Sequence, residues 1–291
     1  MDERRPKREY ERLDAARRKR IHDAIGKRGF YATELLAIDE RCALFRARRA
    51  RAPVLVKVAL GQPPHAEDLA DLARECAILD GLAIDAISRV IEFIVDEQCP
   101  ILVLEDPGDV TLEALLAKDP PPLDRVLDYA IQLVAILGPL HRKGLIHRGI
   151  RPHVVLARPD QGRVVLMDFS DAARNATEAS ASLFARAYGT RLPYIAPEQT
   201  GRLNRAADYR SDFYALGVLL YELLCGHPPF VSDDPLEVVH GQIAKIPQAP
   251  CDVNPAVPVM VSQLVMKLLA KTAEDRYQSA TGLRDLENRS P

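Results

Sequence analysis

The feature that most limits what this chain can fold into is a change of hydrophobic period at Pro107-Gly108. Before it, residues 31–60 alternate in type and end in VLVKVAL, with Pro53 marking the turn ahead of that run. A period of two sends successive side chains to opposite faces, so the stretch reads as consecutive antiparallel strands. Leu69, Leu72, Cys76 and Leu79 then recur at helical spacing within 67–80, and a strand pair follows in VIEFIV and PILVLE. Past the two breakers the apolar positions turn helical, in long segments near 123–142, 211–224 and 258–270. The pattern predicts an α+β chain with a small β-rich lobe first and a larger helical lobe second.

Composition narrows the function classes. The chain has 291 residues, 47% of them hydrophobic, enough to bury the core of two packed lobes. A formal net charge of -2 gives no global electrostatic reason to expect a nucleic-acid partner. The five cysteines are scattered without a CxxC pair, which suggests neither a disulfide framework nor a zinc site and fits a reducing cytosol. The most apolar stretch, ALGVLLYELLC at 215–225, is shorter than the ~20 residues of a membrane span and contains a charge. The N-terminus, MDERRPKREYERLDAARRKR, is too charged for the core of a signal peptide. A cytoplasmic protein with no membrane or nucleic-acid partner is expected. The first 28 residues carry only a narrow apolar stripe of Tyr10, Leu13, Ile21 and Ile25, and are expected to be a solvated helix or a disordered arm.

Five segments carry a family resemblance. LHRKGLIHRGIRPHVVL, LMDFSDA, YIAPEQ, SDFYALGVLLYELLCGHPPF and AEDRYQSA, in this order and at these separations, resemble the C-lobe of a eukaryotic-type protein kinase. The resemblance covers about 30–288. PEQTGRLNRAADYRSDFYALG, SDDPLEVVHGQIAK and LLAKTAEDRYQSATGLRDLE are similar, more narrowly, to the kinase-like N-terminal domain of large bacterial sensor proteins. In those proteins an ATPase module, a GAF domain and a histidine kinase follow; the 291 residues are expected to lack them. The implied architecture is a bilobal protein-kinase-like fold: a charged extension at 1–28, an N-lobe at 29–104, a hinge at 105–110 and a C-lobe at 111–288.

The resemblance also implies a site. Phosphoryl transfer relies on positioning and charge: a lysine on the phosphates, metal ions, a carboxylate for the incoming hydroxyl and a loop over the nucleotide. Lys57 in VLVKVAL stands where the strand lysine stands, Glu75 in RECAIL where its helix partner stands, and Asp168 in LMDFSD where the metal-binding aspartate stands. Leu104 and Glu105, at the hinge, are implied to line the nucleotide. Ser170 replaces the glycine that usually ends the metal-binding motif, which reduces the backbone freedom of the segment.

The family's catalytic loop departs furthest. Where His-Arg-Asp-x-Lys-Pro-x-Asn is usual, this chain has His147, Arg148, Gly149, Ile150, Arg151, Pro152, His153 and Val154. Gly149 leaves no carboxylate to take the substrate proton, a loss that typically costs about a hundred- to ten-thousand-fold in rate. Val154 offers no lone pair to a second metal ion, and Arg151 keeps the positive charge of the usual lysine in a bulkier, planar form. The implied catalytic set is therefore Lys57, Glu75, Arg151 and Asp168 with the base position empty. ATP and Mg are the implied cofactors, with weak binding expected. The loop over the phosphates has Ala37, Asp39 and Cys42 where glycines are usual, and Pro107 falls where a hinge N–H would meet adenine.

Architectural positions are kept. Glu198 and Arg276 match the family's C-lobe ion pair, Asp212 the helix residue that holds the catalytic-loop backbone, and His147, Phe169 and Leu79 the apolar column linking the lobes. Thr177, Ser180, Ser182 and Thr190 are phosphoacceptor candidates, an exposed polar loop being the alternative; GTRLPYIAPE is one residue longer than usual. His65, His141 and His240 read as ordinary loop or helix histidines, because no second ligand lies at metal spacing. Three readings compete: a catalytically impaired binding or regulatory module with a sensor histidine kinase or ATPase as protein partner, a serine/threonine kinase of low activity, and a small-molecule phosphotransferase. The motif APE at 196–198 with its Arg276 partner disfavours the last.

Overall fold

The computed structural model describes residues 10–38, 41–61, 66–96, 99–108, 110–118, 120–158, 162–174, 189–202 and 207–284. Helix α1 (Ala15–Lys27) comes first, its N-terminus capped by the Asp14 carboxylate, which accepts from the Arg17 N–H at 2.7 Å. Strands β1 (Phe30–Ile38), β2 (Cys42–Arg49) and β3 (Ala52–Ala59) follow as an antiparallel meander. Helix α2 (Ala66–Asp80) and strands β4 (Val90–Ile94) and β5 (Ile101–Glu105) complete the lobe, with sheet order β1-β2-β3-β5-β4. The turn ahead of VLVKVAL lies at Ala50 and Arg51, with φ of 47° and 75°; Pro53 itself is inside β3, opposite Arg48. Two consecutive positive φ angles match the twist of a two-residue hairpin.

Every residue of β3 from Val54 to Ala59 is buried, although strands in a sheet with one wet face alternate. The reason is α1. Ile21 is 0% and Ile25 2% exposed, packed with Phe30, Phe45, Val54, Val56, Val58 and Val103 on one face of the sheet. Tyr10 meets Phe45 edge-on at 5.6 Å, and the Arg20 guanidinium donates to the Leu60 carbonyl at 3.1 Å. For residues 10–28 this corrects the expectation of a solvated or disordered arm, residues 1–9 lying outside the described ones: four apolar residues are too few to show as a broad stripe, yet they cover a hydrophobic sheet face. Ile21→Ala is expected to destabilise the protein by about 2–5 kcal/mol, read in chemical denaturation.

After the hinge, β6 (Val110–Thr111), helices α3 (Leu112–Lys118) and α4 (Leu123–Arg142), and strands β7 (Val155–Arg158) and β8 (Arg163–Leu166) lead to the helical part. Strands β6, β7 and β8 form a small antiparallel sheet that frames the loop from His147 to Val154. Helix α5 (Arg210–Cys225) is buried from Ser211 to Leu224, apolar almost all round as a central helix must be. It ends at Gly226, whose φ of 83° is the left-handed cap that glycine adopts without strain. Helices α6 (Pro235–Ala244), α7 (Pro250–Val253), α8 (Val259–Leu268) and α9 (Ala280–Arg284) close the lobe. The fold is the expected α+β bilobal one. Among the described residues no helix is long and apolar enough to cross a membrane. Asp39, His65, Thr177, Ser180 and Ser182 lie outside the described residues.

Candidate active site

Strand β3, helix α2 and the turn after β8 bring three implied residues together. Lys57 projects from β3 on the same side as Leu55 and Ala59, toward α2. Its Nζ lies 2.6 Å from Glu75 Oε2 and 2.7 Å from Asp168 Oδ1, all three groups being buried or nearly so. The second Glu75 oxygen accepts from the Phe169 N–H at 2.9 Å, so one carboxylate ties the lysine to the backbone beside Asp168. Burial alone would lower the Lys57 ammonium, but Asp168 and Glu75 hold its pKa above the usual lysine range. Burial would likewise raise Asp168; Lys57, Arg151 and Arg191 instead hold its carboxyl well below the usual carboxylate range. For Glu75 burial prevails, and its pKa is raised.

The catalytic loop is pinned from below. Asp212 at the start of α5 accepts from the backbone N–H of His147 at 2.9 Å and of Arg148 at 2.8 Å. Arg148 takes a φ of 63° and Asp168 one of 62°, left-handed conformations that cost a non-glycine residue energy and persist only where surroundings enforce them. The His147 ring meets Phe169 edge-on at 4.6 Å, and burial lowers its pKa. His141 is a correction. It pairs with Asp212 at 2.9 Å rather than being an ordinary helix histidine, because α4 packs against α5 with the His141 ring edge-on to Phe213. Its position 71 residues from Asp212 left no local signal in the sequence. His153 was also missed: it sits buried beside Glu113 of α3, 2.8 Å away. His240 is exposed on α6.

Arg151 turns inward. Its Nη2 donates to Asp168 Oδ2 at 2.7 Å and its Nη1 to the Gly149 carbonyl at 2.9 Å. A Cβ at Gly149 would come 3.2 Å from that Nη1, a tight contact that a small shift of the guanidinium relieves. The same Cβ would stand 3.7 Å from Asp171 Oδ2, a carboxylate paired with Arg191. Ser170 Oγ donates to Asp168 Oδ1 at 2.7 Å. Asp168 thus meets Lys57, Ser170 and Arg151 on its two oxygens. Val154, 1% exposed, borders the same space with an isopropyl group. Among the described residues no group of three His, Cys, Asp or Glu could hold a metal ion. Both oxygens of Asp168, the residue implied to hold the metal, are engaged by protein donors in this arrangement.

Ala37, Ile38, Leu44, Lys57, Met167 and Asp168 are among the residues that line the cleft beside the lysine. Leu104 is buried, whereas Glu105 is exposed and its N–H donates to the Arg89 carbonyl at 2.9 Å. At the hinge, Gly108 donates to Asp106 Oδ1 at 2.9 Å and the Pro107 carbonyl accepts from Arg158. Pro107 has no N–H to offer adenine.

Comparison with known proteins bears on the whole arrangement. Residues 41–285 match the protein kinase domain family. A probable serine/threonine-protein kinase of Streptomyces coelicolor is 36% identical over 220 residues, 74% of this chain and 32% of that protein. The serine/threonine-protein kinase PknB of Mycobacterium leprae is 33% identical over 186 residues, 64% of this chain and 29% of that one. The hybrid signal transduction histidine kinase G of Dictyostelium discoideum is 50% identical over 95 residues, 32% of this chain and 3% of that protein. The chain spans about a third or less of the length of these relatives. With the family model matched over most of its length and the lysine, glutamate and aspartate gathered in one cleft, the chain belongs to the protein kinase family, as a domain of the bacterial serine/threonine type.

Proposed function

We propose that this kinase-type domain has lost efficient phosphoryl transfer and acts in the cytoplasm as a regulatory or binding module for a protein partner of the histidine-kinase or ATPase kind. The observation that carries the reading is Gly149, which presents no side chain at the base position, with Arg151 Nη1 3.2 Å from where a Cβ would stand. Val154 and Pro107 support it, since the first offers no lone pair to a metal ion and the second no N–H to adenine. The partner class is supported by the similarity to a protein named as a histidine kinase. The relatives named as serine/threonine kinases set the opposing expectation.

A second reading, a slow serine/threonine kinase, is favoured by Asp171: its carboxylate reaches within 3.7 Å of the absent Cβ and stands near the place of the lost base. Radiolabel transfer from ATP to a basic acceptor protein separates the two. Wild type is expected to incorporate no more label than Lys57→Ala. A wild-type rate abolished by Lys57→Ala overturns the first reading, and its further loss in Asp171→Asn identifies the substitute base.

A further inference from the structure

Arg151 does more at Asp168 than stand in for a lysine. Its guanidinium is 5% exposed and held at two points, 2.7 Å from Asp168 Oδ2 and 2.9 Å from the Gly149 carbonyl, the shorter contact being a charge-assisted hydrogen bond. The other Asp168 oxygen is shared by Lys57 and Ser170, each at 2.7 Å. Magnesium binds carboxylate oxygen at about 2.0–2.1 Å in near-ideal octahedral geometry and needs lone pairs turned toward it. A fixed cation on the same oxygen competes for that lone pair and repels a second positive charge. Around the carboxylate the charges already balance: Lys57 and Arg151 face Glu75 and Asp168. Gly149 adds to the hold on Arg151, since its carbonyl accepts from Nη1 at 2.9 Å and its missing Cβ, which would stand 3.2 Å away, leaves that contact uncrowded.

Resting on the reading of this cleft as a kinase nucleotide site, we infer that Arg151 is a built-in cation that takes the place of the divalent metal. A polyphosphate that enters the cleft does so with no metal ion at Asp168. Arg151 lines the cleft beside Lys57 and Asp168, so its charge acts on the phosphates in the metal's stead.

The test is Mn2+ binding to the full chain, followed by electron paramagnetic resonance and water-proton relaxation, with Mn2+ alone and with ADP. Wild type is expected to show no Asp168-dependent site. Arg151→Ala and Arg151→Gln are each expected to gain one, with Mn2+ affinity raised about tenfold or more by removal of the adjacent charge. Asp168→Asn in either background removes the gain. An Mn2+ site in wild type that Asp168→Asn abolishes overturns the inference, as does the absence of any gain in both Arg151 variants when circular dichroism shows them folded. Either result leaves the proposed loss of transfer standing, because that reading depends on Gly149 and is measured by label incorporation.

Discussion

Phosphoryl transfer by a Gly149→Asp, Val154→Asn double variant is expected to exceed that of wild type by about a hundred- to ten-thousand-fold, the usual contribution of a positioned general base. That range corresponds to roughly 3 to 5 kcal/mol of barrier. Gly149 does not have a positive φ, so its backbone accepts a side chain without left-handed strain. The incoming Cβ meets Arg151 Nη1 at 3.2 Å, the far end of a flexible side chain, which must move by a few tenths of an ångström. A carboxylate there also offers Arg151 a new partner and draws the guanidinium away from Asp168. Asparagine at 154 returns an oxygen to the edge of the cleft. Lys57→Ala added to the double variant is expected to abolish the gain. A folded double variant that transfers no faster than wild type would show that the base position is not what limits this protein.

Arg276→Ala is expected to cause the largest loss of stability, about 3–5 kcal/mol, because it strands a buried carboxylate. Arg276 is fully buried and bonds Glu198 through two parallel contacts, 2.7 Å to Oε1 and 2.8 Å to Oε2. It donates further to the carbonyls of Ala270 at 2.8 Å and Arg210 at 3.1 Å, and lies over the Tyr214 ring at 5.0 Å. Ser211 also donates to Glu198, at 2.8 Å, so a single guanidinium joins the segment before α5, α5 itself and the loop after α8. At about 2–4 °C per kcal/mol for a chain of this size, the midpoint of thermal unfolding falls by roughly ten degrees. Replacing both partners by apolar residues of matched shape is expected to cost much less, since no charge is then left unpaired. Denaturation of the single and double variants measures the difference.

Much of this was legible without coordinates. Helix α4 runs from Leu123 to Arg142 and α5 from Arg210 to Cys225, close to the limits that apolar spacing predicted. Lys57, Glu75 and Asp168 meet as the motif order implied. Other features were hidden. A narrow stripe in a highly charged segment gave α1 no visible reason to dock, since that reason is the bare sheet face opposite it. His141 looked like any helix histidine until the fold placed it on Asp212.

What the sequence by itself determined is the order of elements and the identity of the atoms that are missing: no carboxylate at 149, no amide at 154, no N–H at 107. These are local facts, carried by hydrophobic period and by covalent structure. Only the tertiary structure decided which groups stand beside these positions. Arg151 on Asp168, Asp171 beside Gly149 and Ile21 under the sheet are meetings of groups on separate elements or across a turn, and their geometry depends on how the backbone closes around them. An ion pair in a low-dielectric interior forms only where folding has already removed water from both partners.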